Sequence, residues 1–380
     1  MSGRKKVGIV TMHKVKNYGS ALQAYALQKA VEKSGGDSFI IDYQYPNGFH
    51  RQHLKNKSLF KKNLLRGILG KLKMKLFYRS QAQHALFASF WNKEFNQTQT
   101  YRSLEELRAN APRADILMTG SDQVWNPGTM FGDPAFLCGF GEENIRRVSF
   151  GASFAGADIP EHLKENYKRH LSRYAAISVR EHSSADMVTD LTGREVTVVC
   201  DPTLLLTQND YRSLASQSAL SVKQPYLLAY ILDYAYTPYP AIKKLIREIS
   251  KERKLNVVYL LCGNANGIRP GSTVISAAGP NEFLRLFQEA SFVVTSSFHG
   301  TMFSMIYEKS FYAVVPPDRK GDCRIASLLN QAGLEDRAVA ANEHWAKNSR
   351  NESIDYGHCR AKIDTIRTNG LKYIKKILDE

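Results

Sequence analysis

Acidic residues are missing between Asp42 and Glu94, a stretch that holds eleven Lys and Arg residues, from Arg51 through Lys93. Also missing is any apolar run of the roughly 18–20 residues that a bilayer-spanning helix needs, and the N-terminal "MSGRKKVGIVTMHK" passes from basic residues straight into a short strand-like run. The expectation is a cytoplasmic chain with no cleaved signal. Five cysteines (Cys138, Cys200, Cys262, Cys323, Cys359) stand far apart with no CxxC pair, which argues against both a disulfide framework and a zinc site. No GxGxxG fingerprint follows a strand, so a nicotinamide or flavin cofactor has no support. Short-period repeats and low-complexity tracts are absent as well.

What is present is ordinary globular material, with 43% hydrophobic and 23% charged residues and a formal net charge of +16. The basic insertion near residues 50–93 contains "SLFKKNLLRGILGKLKMKLFYR", with leucine and isoleucine at helical spacing among the cations. Two readings stay open: peripheral contact of residues 51–79 with an anionic membrane surface, and a solvated helix packed on the protein. Nucleic acid is not expected, because stacking aromatics are not interleaved with the cations.

Short β-rich runs alternate with helix-like segments almost throughout, the pattern of parallel sheets covered by helices. "KKVGIVTM", "DSFIIDY", "ADILMTGSD", "RRVSFGASF", "AAISVRE" and "VTVVCDP" form a first set; "YLLAYIL", "NVVYLLCG", "STVIS", "SFVVTSS" and "SFYAVVPP" form a second. The segment between them, ending at Pro225, reads as polar and irregular. The expected architecture is α/β, with Rossmann-like domains at 1–208 and 222–345 facing a cleft and a C-terminal helix at 352–380. Ligands of such sheets bind outside the carboxyl ends of the strands, so residues at strand ends are the candidates.

Four strand ends stand out. After the first strand, Asn17, Gly19 and Ser20 open a helix where backbone amides and the helix dipole suit an anion or a sugar hydroxyl; a plain Asn-Gly turn is the other reading. In "ILMTGSDQVWNP", Asp122 is placed to take a proton from a hydroxyl or to cap the next turn, and Trp125 with Asn126 suits a sugar ring. Arg180 ends another strand and presents a fork matched to carboxylate or phosphate, or pairs with Glu181 or another acid. Asp201 reads as a turn residue before Pro202. In "TSSFHGTMFSMIYEKSF", His299 sits at a strand-to-helix turn, where an imidazole can donate to a phosphate or transfer a proton. Arg319, Lys320 and Arg324 follow as a second cationic cluster.

In this order "NYGSALQAYALQ", "TGSDQVWNP", "SFGASFA", "ISVREHSSADMV", "VVCDPTLLL" and "TSSFHGTMFSMIYEKSF" resemble the polysaccharide pyruvyl transferase family over about residues 7–330. The resemblance implies a fold similar to GT-B glycosyltransferases and transfer of pyruvate from phosphoenolpyruvate (PEP) to two sugar hydroxyls, giving a ketal and phosphate. It implies no cofactor or metal, with PEP as co-substrate and a sugar or lipid-linked oligosaccharide as acceptor. By motif, His299 and Asp122 take the catalytic positions. Arg180, Ser297, Gly300, Thr301, Lys320 and Arg324 would bind the donor, and Asn17, Gly19, Ser20, Trp125 and Asn126 the acceptor. Ser297 departs from the family's Arg-x-His signature. Its loss of a cation hands the PEP charge to Arg324, Lys320 or Arg319, or implies a different donor. Two alternatives from other classes are a GT-B glycosyltransferase using a nucleotide sugar and a non-catalytic relative that binds glycans or membranes.

Overall fold

Runs such as "YLLAY" and "FYAVV" are buried at every position, as parallel strands covered on both faces require. The computed structural model describes residues 3–58, 70–233, 236–261, 268, 270–317, 324–342 and 353–380; for residues 54–58 and 70–80 it describes the helical backbone alone. Lys320 and Arg319 lie outside the described residues, as do residues 59–69 of the basic insertion and the side chains flanking them. Contacts divide the chain into two units, one of Met1–Lys73, Trp91–Leu206 and Ile366–Glu380, the other of Met74–Phe90 and Thr207–Thr365.

The first unit runs β1 (Lys6–Val10), α1 (Tyr18–Lys33), β2 (Asp37–Ile40), α2 (Gly48–Ser58), α3 (Gly70–Glu94), α4 (Leu104–Ala109), β3 (Ile116–Thr119), β4 (Arg146–Ser149), α5 (Glu161–Leu171), β5 (Ser178–Val179), α6 (His182–Thr192) and β6 (Thr197–Val198), with part of α3 counted in the other unit. Its parallel sheet has the order β2-β1-β3-β4, and β5 pairs with β6. Single bridges Val148↔Ala176 and Ala152↔Val179 continue the pairing from β4 towards β5. The core beside this sheet gathers Leu117, Val124, Trp125, Phe136, Phe154 and Tyr174.

The second unit continues with α7 (Gln208–Ser216), β7 (Tyr226–Tyr230), α8 (Ala241–Glu252), β8 (Asn256–Leu260), β9 (Thr273–Ile275), α9 (Pro280–Glu289), β10 (Phe292–Thr295), α10 (Phe298–Ile306), β11 (Phe311–Val315), α11 (Arg324–Ala332) and β12 (Ala338–Ala340). Six parallel strands stand in the order β12-β11-β10-β7-β8-β9. Ile242, Leu245, Ile246 and Ile249 place the apolar stripe of α8 in the core with Leu227, Phe292 and Val314. The final helix, α12 (Tyr356–Asp379), divides between the units at Ile366. Among the described residues, no helix is long and apolar enough to cross a membrane.

The molecule is therefore α/β with parallel sheets in both units. Within the segment expected to be irregular, Gln208–Ser216 is helical instead. Thr207 and Asp210 close a reciprocal capping box that satisfies the first amides of α7, a signature present in "TQND".

Candidate active site

In the first unit the carboxyl ends of β1 and β3 meet at Asp122. Its backbone has φ of 77°, a left-handed conformation that costs a non-glycine residue roughly 1–3 kcal/mol unless its surroundings enforce it. Here they do: the Ser121 hydroxyl donates to the Gly151 carbonyl at 2.8 Å, and the Ser121 carbonyl accepts from the Thr11 hydroxyl at 2.8 Å. The Asp122 carboxylate accepts from the Ser20 hydroxyl at 2.5 Å and from the Gln123 amide at 2.9 Å. A serine on α1 and an acid after β3, 102 residues apart, thus share one hydrogen bond.

Asn17 is the N-cap of α1, and its side-chain oxygen accepts from the Gly19 and Ser20 amides at 2.9 and 3.3 Å. The two amides expected to receive a ligand are taken by the cap, so Asn17 and Gly19 shape the turn and Ser20 alone of the three offers a side chain to Asp122. Trp125 is a second correction. It is fully buried, donates its indole N–H to the Phe136 carbonyl at 3.0 Å and packs on Phe154 and Tyr174, so it has no face to give a sugar. Asn126 is half-buried and accepts from the Gly128 amide at 2.8 Å.

Arg180 is buried, and its guanidinium donates to Asp201 at 2.7 Å, with Glu181 at 3.9 Å and Asp122 at 4.0 Å. Burial by itself would pull its pKa down; Asp201, Glu181 and Asp122 outweigh it and the pKa rises above the usual arginine range. One cation among three carboxyl groups leaves this cluster formally negative. Of the two sequence readings, the pairing of Arg180 with acids of its own chain is the one seen, with Asp201 as its hydrogen-bonded partner. Asp201, read from the sequence as a turn residue, both caps the turn by accepting from the Thr203 amide at 3.0 Å and holds Arg180. Glu181 accepts from the hydroxyls of Ser153 and Ser184.

The second unit offers a different setting at the end of β10. Thr295 donates to the Tyr230 carbonyl at 2.7 Å, and Ser296 donates to the Leu232 carbonyl at 2.7 Å, so the strand end is fixed on β7 before the chain turns. Ser297 is the N-cap of α10 and accepts from the Gly300 amide at 3.2 Å. Thr301 is fully buried and donates to the Ser297 carbonyl at 3.0 Å. These three positions, expected to touch the donor, instead build the turn: Ser297 caps, Thr301 braces, and Gly300 leaves room. A Cβ on Gly300 would collide with the Thr295 hydroxyl and press on the Tyr230 ring. Gly300→Ala should therefore displace the start of α10 and destabilise the fold by about 1–3 kcal/mol, measured by urea unfolding.

His299, the second residue of α10, is half-buried. Its ring meets Phe298 edge to face at 5.4 Å, and the Arg324 guanidinium lies over the other ring at 5.5 Å from its centroid. An imidazole, a guanidinium and the positive end of a helix dipole thus gather at one strand end, a setting able to hold an oxyanion and move a proton beside it. Sequence spacing does not foretell that Phe298 links Arg324 to His299.

A family model described as polysaccharide pyruvyl transferase matches residues 17–318, while no curated protein sequence matches the chain. Solved structures with a similar course include UDP-GlcNAc 2-epimerase from Methanocaldococcus jannaschii (12% identity, 94% of this chain and 92% of that one, TM-score 0.46). The Neisseria meningitidis UDP-GlcNAc 2-epimerase bound to UDP-GlcNAc (12%, 96% and 100%, 0.45) and Medicago truncatula UGT71G1 complexed with UDP-glucose (9%, 99% and 98%, 0.48) are others. With the family model covering most of the chain, the chain belongs to the polysaccharide pyruvyl transferase family and is a transferase.

Proposed function

We propose that the protein transfers pyruvate from PEP to two hydroxyls of a sugar in a polysaccharide or lipid-linked oligosaccharide precursor, forming a cyclic ketal and releasing phosphate. The observation that carries this reading is the separation of charge between the two strand-end clusters. The His299 and Arg324 setting in the second unit suits a phosphate and a carboxylate. The Ser20 and Asp122 setting in the first, with Glu181 and Asp201 behind it, suits a neutral hydroxyl donor, which the Asp122 carboxylate can accept from.

In this reading Arg324 and the start of α10 hold the PEP anion, its cationic partners being protein-borne. Lys320, from the sequence alone, would add to them and offset the missing arginine at Ser297. Of the two hydroxyl protons, one ends on the PEP methylene carbon, making the methyl group, and the other leaves with phosphate as the second C–O bond to the sugar forms and the C–O bond to phosphate breaks. Asp122, already an acceptor of the Ser20 hydroxyl, takes the proton from the attacking sugar oxygen. His299 donates to the phosphate or passes a proton at the donor. The cation-rich, acid-free residues 51–79 suit a lipid-linked acceptor at an anionic surface, and PEP as co-substrate places the reaction in the cytoplasm.

Thermal shift tests the donor assignment. PEP at 100 times its dissociation constant should stabilise the protein by about 2.7 kcal/mol, and Arg324→Ala should lose most of that shift. Stabilisation by nucleotide sugars with none by PEP would favour a glycosyltransferase instead.

A further inference from the structure

With Trp125 buried, the aromatic surface near Asp122 comes from elsewhere in the first unit. His53 stacks on Phe131 at 4.8 Å and 19°, Phe49 lies 4.5 Å from His53 and 5.3 Å from His50, and His50 meets Tyr45 edge to face at 4.6 Å. These rings form a continuous band from the start of α2 to the loop after β3. Phe49 is 37% exposed, and Tyr45 and His53 are half-buried, so the band has an open side. The layer beneath is fixed. His50 is fully buried with its Nδ1 on the Asn47 carboxamide at 2.8 Å, and the Tyr43 hydroxyl donates to buried Asp133 at 2.8 Å.

The band stands at the same sheet edge as the acid: β2, which leads to Tyr45, and β3, which leads to Asp122, run parallel with β1 alone between them, and the Tyr45 hydroxyl is 3.5 Å from the carbonyl of Thr129, seven residues after Asp122. The Tyr45 phenol is raised above its usual pKa by burial first and by the Asp122 carboxylate second. Half-buried Gln123 and Asn126, whose carboxamides bond each other at 3.3 Å, follow Asp122 in the chain. A pyranose has an apolar face of C–H groups and a rim of hydroxyls; rings on one side and carboxylate and amide groups on the other match both. The carboxyl groups at Asp122, Glu181 and Asp201 disfavour an anionic occupant.

We propose that Tyr45, Phe49 and His53 form the platform on which a pyranose ring of the acceptor stacks, with the Ser20 and Asp122 pair at its polar edge. This deepens the proposed function and rests on its reading of the chain as a sugar-modifying transferase. Aromatic side chains at positions 45, 49 and 53 are then specificity determinants of the acceptor and not of the donor.

The probe is a set of p-nitrophenyl pyranosides of galactose, glucose, mannose and N-acetylglucosamine, with binding read by saturation-transfer NMR and PEP binding by thermal shift on the same preparations. At least one pyranoside should bind the unaltered protein with its ring C–H protons saturated. Phe49→Ala and His53→Ala should each weaken it roughly tenfold, and Phe49→Trp should restore it. Phe49 is exposed, so Phe49→Ala should melt as the unaltered protein does. Binding of none of the pyranosides, or equal binding by Phe49→Ala, His53→Ala and the unaltered protein, overturns the platform. Loss of pyranoside binding in the variants with the PEP shift intact supports it. A protein that binds pyranosides through these rings but shows no PEP shift keeps the platform and sinks the donor reading alone.

Discussion

His299→Ala should lower PEP-dependent phosphate release by about 10²–10⁴-fold, the range supplied by a positioned acid or base, while the melting temperature stays within the scatter of the unaltered protein. The two halves of this expectation have separate causes. The turn that carries His299 is built by others: Ser297 caps α10, Thr301 bonds the Ser297 carbonyl, and Thr295 ties β10 to β7. Removing a half-buried imidazole leaves all three bonds in place. What disappears is the side chain that stands with Arg324 around Phe298. Added imidazole should restore part of the rate if the lost group moves a proton, and a His299→Ala enzyme of undiminished turnover would remove His299 from the chemistry.

Arg180→Met should destabilise the protein by about 3–5 kcal/mol, the usual cost of leaving a buried charge without its partner. Here the side chain of Asp201 is fully buried and bonded to the guanidinium at 2.7 Å. The double variant Arg180→Met/Asp201→Leu should regain much of that loss, since it removes the pair together. Urea unfolding of the two single variants and the double variant gives the coupling directly. An Arg180→Met protein as stable as the original would mean the bond to Asp201 contributes nothing. The PEP shift discriminates further: Arg180→Lys keeps the charge, loses the fork, and should leave the shift intact, whereas an anion clamp would lose it.

The course of the chain was legible because parallel strands buried on both faces read as continuous apolar runs, as in "YLLAY", "FVVT" and "FYAVV". β12 was missed, since three residues, Ala338–Ala340, carry no periodicity. The strand-end positions of Asp122, Arg180 and His299 followed from the same runs. Their partners did not, because each comes from a distant segment: Ser20 reaches Asp122, Asp201 sits on Arg180, and Arg324 lies over Phe298. Trp125 shows the converse error. An aromatic near an acid resembles a sugar platform along the chain, yet the fold turns its indole onto the Phe136 carbonyl. The rings at Tyr45, Phe49 and His53 lie at the start of the cation-rich stretch, and the stacking of His53 on Phe131 joins residues that no local pattern connects. Thr301 and Gly300 looked like donor contacts from the motif; their burial assigns them to the turn.

The most direct test of pyruvyl transfer is to incubate the protein with PEP and a pool of pyranosides and lipid-linked oligosaccharides, then follow phosphate release and acceptor mass together. One phosphate should be released for each acceptor that gains a pyruvate less one water, with an acid-labile carboxylate on the product and no consumption of nucleotide sugars. A gain of a glycosyl residue with release of a nucleotide, and no phosphate from PEP, would contradict pyruvyl transfer.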